Sequence, residues 1–144
     1  MSFSIARKLV LGRIKMRVFI ADDSGAVVER LGDLLEEVPG AQLVGKASDV
    51  PKAILRIKKI KPDVLILDLQ MPGGTGLDVL RAVRKEHPYL FVLICTNYPY
   101  SQYRQECVSA GANIFLDKSS EFEKIPAILR KLIHKEPKIS PATR

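Results

Sequence analysis

The chain has 144 residues, 47% of them apolar, a net charge of +7 and two cysteines, which is the size and composition of one globular domain with its own core. Cys95 and Cys107 show neither metal-ligand nor redox spacing, so a secreted disulfide scaffold is excluded and a reducing, cytoplasmic setting is expected. No stretch reaches the roughly 18 consecutive apolar residues of a membrane span, and no internal repeat is present.

The positive charge is concentrated at the two ends. Residues 1–17 hold five bases and no acid, and residues 124–144 hold six bases and one acid. Residues 18–123 hold 12 bases against 15 acids, a mildly acidic middle. Basic ends of this kind are usually solvated tails, so direct nucleic-acid binding is not expected. Arg7, Lys8 and Arg13 interrupt the apolar residues of the first segment, which excludes a signal-peptide core. Residues 1–15 read as a flexible basic extension, or as sequence ahead of a start at Met16. A short amphipathic helix carrying Ile5, Leu9 and Ile14 toward a membrane or partner is the alternative. Residues 16–135 are the expected domain and 136–144 a tail.

Arg17 to Ala21 is a β-branched and apolar run that stops at Asp22-Asp23-Ser24. Ser24 or Asp23 is placed to cap a helix over 25–37, where Val27, Leu31, Leu34, Leu35 and Val38 recur at helical spacing. Pro39-Gly40 ends it, and Gln42 to Ala47 is a short second strand. Asp49 caps a further helix with Pro51 in its first turn. Ile54, Ile57 and Ile60 point inward along it, and Lys52, Arg56, Lys58, Lys59 and Lys61 point to water.

Pro62 stops that helix. The segment 63–68, DVLILD, then reads as a strand buried on both faces that ends in a carboxylate, Asp68. Met71-Pro72-Gly73-Gly74-Thr75-Gly76 forms a tight turn before a helix built on Leu77, Leu80 and Val83. Leu90 to Cys95 is a fourth strand, closing on Thr96. A weak helix over 102–110 follows the Tyr98-Pro99-Tyr100 loop, with Gly111 as its C-cap. Ile114-Phe115-Leu116 is a fifth strand ending at Asp117-Lys118. Ser120 and Glu123 are assigned to a separate capping turn, and a last helix starts near Lys124 with Pro126 in its first turn. His87 and His134 lie at helix ends and read as surface residues.

Five alternations of strand and helix predict an α/β fold with a five-stranded parallel sheet in the order 2-1-3-4-5 and helices on both faces. In that order the ends of strands 1, 3, 4 and 5 are neighbours, so Asp22, Asp23, Asp68, Thr96 and Lys118 converge. Three carboxylates in contact raise one another's pKa. A divalent ion in an all-oxygen site relieves the repulsion, and together with the Lys118 ammonium it brings the net charge to zero. Such a site accepts a phosphoryl dianion.

The Asp-Asp pair after the first strand, LILDLQMPGGTG, the Thr after the fourth strand and Phe115-Leu116-Asp117-Lys118 together resemble the receiver domains of response regulators, the CheY-like fold, over roughly residues 16–135. The resemblance implies that Asp68 is the phosphoacceptor, taking its phosphoryl group from a histidine kinase, a histidine phosphotransfer protein or a small donor such as acetyl phosphate. It implies Mg²⁺ or Mn²⁺ held by Asp22, Asp23, Asp68 and the Gln70 backbone carbonyl, with Asp22 acting directly or through water. Lys118 would pair with the phosphoryl oxygens, backbone groups of Leu69 and Asn97 would contact them, and Thr96 and Phe115 would move as the switch. Two positions depart from the common pattern: Asn97 stands where many receivers have Ala, and Ser119 where many have Pro.

With nine residues after Lys135, a stand-alone receiver read by a separate downstream protein is expected, its reader surface formed by Thr96, Phe115 and the last helix. Two other classes compete. A metal-dependent phosphohydrolase would share the carboxylates, but FIADDSG lacks an Asp-x-Asp pair. A protein-binding module that works without phosphorylation is the other.

Overall fold

The computed structural model describes residues 16–134, and the expected extension 1–15 and tail 136–144 lie outside the described residues. Five strands, β1 (Met16–Ala21), β2 (Ala41–Ala47), β3 (Val64–Leu67), β4 (Phe91–Thr96) and β5 (Ile114–Asp117), alternate with five helices. These are α1 (Gly25–Glu36), α2 (Val50–Ile60), α3 (Gly76–Arg84), α4 (Ser101–Ser109) and α5 (Ile125–His134). All pairings within this five-stranded sheet are parallel and the order is 2-1-3-4-5, as the alternation predicts.

The period-2 alternation of strand side chains divides the core in two. Val18, Ile20, Val64, Ile66, Leu93, Cys95 and Leu116 pack with α1 and α5. Phe19, Ala21, Leu65, Leu67, Val92, Ile94 and Phe115 pack with α2, α3 and α4. All four residues of the central strand β3 are buried, which is why its sequence is an unbroken apolar run.

Local chemistry sets the helix ends. The Ser24 hydroxyl accepts from Val27 N–H and caps α1, and the Asp49 carboxylate accepts from Lys52 N–H and caps α2. Lys61 closes α2 in the left-handed region, at φ 54°, immediately before Pro62. Helix α4 ends at the C-cap Ala110, so Gly111, at φ +106°, sits one position later than expected.

One turn differs from the sequence reading. Ser120 and Glu123 do not define the capping turn before α5. A four-residue helical turn, Lys118–Glu121, starts directly after β5 and is capped by Asp117, whose carboxylate accepts from Ser119 N–H and Oγ. The acid next to Lys118 wins because it stands at the point where the chain leaves the strand.

The turn after β3 is a miniature antiparallel ladder in which Gln70 pairs with Thr75 and Met71 with Gly74, with Gly73 and Gly74 at positive φ. Thr75 and Asp78 then form a reciprocal capping box for α3. Gly76 N–H donates to Leu69 O at 2.9 Å, and a Cβ on Gly76 would lie 2.2 Å from Asp68 O. Backbone therefore meets backbone there, and only glycine fits.

Two outcomes follow from this packing. Gly76→Ala should lower stability by about 1–3 kcal/mol in urea unfolding, because the overlap falls on backbone atoms that cannot rotate away. Gly25→Ala, where a Cβ meets nothing within 4 Å, should be neutral or stabilising by up to about 1 kcal/mol. Burial pushes the Cys95 thiol up to about 12 and the Cys107 thiol up to about 11. Neither should react with a thiol reagent at mildly alkaline pH in the folded protein, and both should react once denaturant is added, as absorbance of the released reporter would show.

Candidate functional site

The register of the sheet builds the site. Ala21 pairs with Leu67 and Leu67 with Ile94, so β1 and β3 finish level, while β4 and β5 run two residues farther and finish level with each other at Thr96 and Asp117. The residues that end or follow these strands face a common crevice at the carboxyl edge. Asp22 N–H donates to Ala47 O and Asp68 N–H to Ala21 O, which fixes the backbone beneath both carboxylates.

Asp22, Asp23, Asp68 and Lys118 come together as the sequence predicted. One carboxylate oxygen from each of the three acids lies within 4.8 Å of the others. Asp22 and Asp68 are buried and Asp23 is exposed at the rim. Lys118 Nζ donates to Asp22 Oδ2 at 2.7 Å and lies 3.3 Å from Asp68 Oδ2, with its side chain 9% exposed. Asp22 Oδ1 also accepts from Ser24 N–H at 2.9 Å. The acid beside Lys118 in sequence, Asp117, is occupied as a helix cap and forms no part of this pair.

The remaining residues line or back the crevice. Gln70 and Asn97 are exposed and line it together with Ser24, Met71 and Tyr98. The Gln70 backbone N–H works to lower the pKa of the Asp68 carboxyl. Leu69 is buried behind the site, where its carbonyl receives Gly76 N–H. Thr96 is fully buried, and its Oγ1 accepts from Tyr98 N–H at 3.0 Å. Phe115 is buried in the core between the sheet and α4. Every peptide bond among the described residues is trans, the Lys118–Ser119 bond included.

The electrostatics follow from this placement. Burial raises the Asp68 carboxyl above the ordinary carboxylate range, opposed by Lys118 and reinforced by Asp22. Burial works against the Lys118 ammonium, but the Asp22 hydrogen bond and the charges of Asp68 and Asp22 outweigh it, and the net shift is upward. Three carboxylates against one ammonium leave the crevice with an excess of negative charge.

Oxygen donors of this kind suit a small hard cation. In an octahedral site at about 2.1 Å from the metal, neighbouring ligand oxygens are about 3 Å apart and opposite ones about 4.2 Å. The three acids, with oxygens within 4.8 Å of one another, match magnesium in donor kind, and a pair at that limit would close by about 0.6 Å as opposite ligands or about 1.8 Å as neighbouring ones.

Two contributors were not evident in the sequence. Ser24 joins the crevice through its backbone N–H to Asp22, a role with no signal beyond its position as a helix cap. Arg104 lies over the Phe115 ring with its guanidinium carbon 4.7 Å from the ring centroid, a contact that needs α4 and β5 to be packed side by side.

Comparison with known proteins agrees with this geometry. The family model for the response regulator receiver domain matches residues 18–130. Among curated proteins, the chain is 32% identical over 126 residues to the uncharacterized transcriptional regulatory protein YvfU of Bacillus subtilis, covering 88% of this chain and 63% of that protein. It is 34% identical over 103 residues to the DNA-binding transcriptional activator DevR/DosR of Mycobacterium tuberculosis, covering 72% and 48%. The chain thus spans less than two thirds of the length of these relatives. Among solved structures it is similar to the response regulator domain of Thermotoga maritima CheB, with TM-score 0.71 and 27% identity over 83% of this chain and 94% of that one. A LuxR-family DNA-binding response regulator from Staphylococcus aureus gives TM-score 0.75 and 25% identity over 83% and 99%. A five-stranded 2-1-3-4-5 sheet, an acidic crevice with a lysine at its carboxyl edge and a family match across residues 18–130 together make this chain a member of the response regulator receiver domain family, whose domains are phosphorylated on aspartate and bind Mg²⁺.

Proposed function

We propose that Asp68 is the phosphoacceptor of this receiver and that Asp22, Asp23, Asp68 and the Gln70 carbonyl hold the Mg²⁺ or Mn²⁺ that supports the transfer. The observation that carries this reading is the convergence of three carboxylates within 4.8 Å around a lysine ammonium at 2.7 and 3.3 Å. The bound cation would supply charge neutralisation for the phosphoryl oxygens. An Asp68 Oδ forms the new O–P bond while the N–P bond of a phosphohistidine breaks, and the electron pair returns to the imidazole nitrogen. The product is an acyl phosphate on Asp68.

The chain's own residues prepare this step. Burial and the Gln70 N–H hold the Asp68 carboxylate at the crevice mouth. Lys118, released from part of its pairing with Asp22 and Asp68, takes up a phosphoryl oxygen, and the N–H groups of Leu69 and Asn97 take others. Thr96 exchanges its bond from Tyr98 N–H for one to the phosphoryl group, and Phe115 backs it. The donor is a histidine kinase or a phosphotransfer protein, and a separate downstream protein reads the state. No described helix is long and apolar enough to cross a membrane, in keeping with a kinase partner on the cytoplasmic side.

Incubation with labelled acetyl phosphate and Mg²⁺ should leave one stable label per chain, absent with chelator and absent in Asp68→Asn. Multiple turnover on varied phosphate esters would replace this reading with a phosphohydrolase, and no label under any condition would favour a binding module. The raised pKa of Asp68 adds a stability test with a definite sign. Its folded-state pKa lies above its unfolded value, so stability present below the unfolded pKa is lost as pH rises through the folded one. At neutral pH in chelator, Asp68→Asn should therefore melt at a higher temperature than the parent chain. The gap should close in acid, where both states protonate Asp68, and saturating Mg²⁺ should narrow it from the other side by stabilising the parent.

A further inference from the structure

Helix α4 is the least anchored of the five helices. Cys107 is its one buried residue, and its N-cap position, Tyr100, makes no side-chain hydrogen bond. Each of the other four helices buries two residues or more. Arg104, in the middle of α4, supplies a different attachment. Its guanidinium stacks 4.7 Å from the centroid of the Phe115 ring, and its Nη1 donates to the Phe115 carbonyl at 3.4 Å. Phe115 itself is only 5% exposed, so the ring is enclosed by the core on one side and by an otherwise solvent-facing arginine on the other.

We propose that Arg104 is a positioning residue of the switch: by gripping both the ring and the carbonyl of Phe115 it holds the ring inward and biases the Asp68 site toward its phosphoryl-accepting arrangement. This rests on the reading of Asp68, Thr96 and Phe115 given above. The ring is inward in the same arrangement in which Thr96 Oγ1 accepts from Tyr98 N–H. A contact made only with the ring inward shifts the balance between inward and outward forms by its own free energy and no more. For a partly exposed cation–π pair that shift is about two- to fivefold in population. A planar guanidinium spans ring and carbonyl together, whereas an ammonium covers the ring alone, so lysine preserves part of the effect.

The test is fluorine NMR on protein labelled at its five phenylalanines, with Phe115 assigned by Phe115→Leu, compared across the parent chain, Arg104→Ala and Arg104→Lys. In Arg104→Ala the metal-free Phe115 resonance should move toward the free amino acid. The midpoint of a beryllofluoride titration in Mg²⁺ should rise, by at most about that two- to fivefold since it scales with the inverse of the inward fraction, with Arg104→Lys between the two. An unchanged resonance and midpoint in Arg104→Ala would overturn the proposal, as would Arg104→Lys being as impaired as Arg104→Ala. A lowered melting temperature with an unmoved midpoint would reduce Arg104 to a structural contact and also overturn it. If the parent chain gives no response to beryllofluoride, the Asp68 reading fails and the coupling with it. The metal-free resonance still shows separately whether Arg104 holds the ring.

Discussion

Repulsion among carboxylates at one edge of a parallel sheet is the constraint around which the molecule is arranged. Asp22 and Asp68 follow adjacent strands whose ends are level, and Asp23 stands next to them at the rim. A parallel sheet has no means of spreading such residues apart, because its strand ends share one edge. Lys118 answers this from the far end of β5, bonding Asp22 and reaching Asp68 while largely buried itself. One ammonium cannot neutralise three acids. The deficit makes the crevice hold its acidic groups under tension and receptive to a cation and, with it, to a phosphoryl group.

The surrounding fold keeps this arrangement rigid on one side and loose on the other. Under Asp68, the chain makes a backbone-to-backbone approach at Gly76 and a short ladder through Gln70 to Thr75, tied to α3 by the Thr75–Asp78 capping box. These contacts leave the Asp68 carboxylate little freedom. Across the crevice, α4 is attached through buried Cys107, half-buried Tyr103 and the contact of Arg104 with Phe115. Rigidity beneath Asp68 and slack beside Thr96 and Phe115 are what the proposed two-state element needs: a fixed place for the charge to change, and a neighbouring element whose position responds at small cost.

Arg84 shows how the loose side is kept from unravelling. Its guanidinium donates to the carbonyls of His87, Leu90 and Gly111 and to Asn113 Oδ1, joining the end of α3 to the loop between α4 and β5. The missing Cβ of Gly111 leaves room for that side chain, since a Cβ there would lie 2.8 Å from Arg84 Nε. Burial lowers the pKa of this arginine; the acceptors around Nη1 and Nη2 compensate part of that cost, while Nε is buried without a partner.

The sequence by itself determined the alternation of strands and helices, the buried central strand, a helix cap at Ser24 or Asp23 and another at Asp49, and the set of acids, hydroxyl and lysine at the strand ends. Each is legible because its signal is local or periodic: apolar runs, helical spacing, a capping side chain, a carboxylate ending a strand. Tertiary structure decided the pairings. That Lys118 bonds Asp22 more closely than Asp68, that Asp117 turns away to cap the next turn, that Thr96 is held by Tyr98 N–H, and that Arg104 covers Phe115 all depend on how far apart strands and helices settle. Distances of a few tenths of an ångström choose among partners that a linear chain leaves equivalent, and those distances are set by packing across the whole sheet rather than by any neighbouring residue.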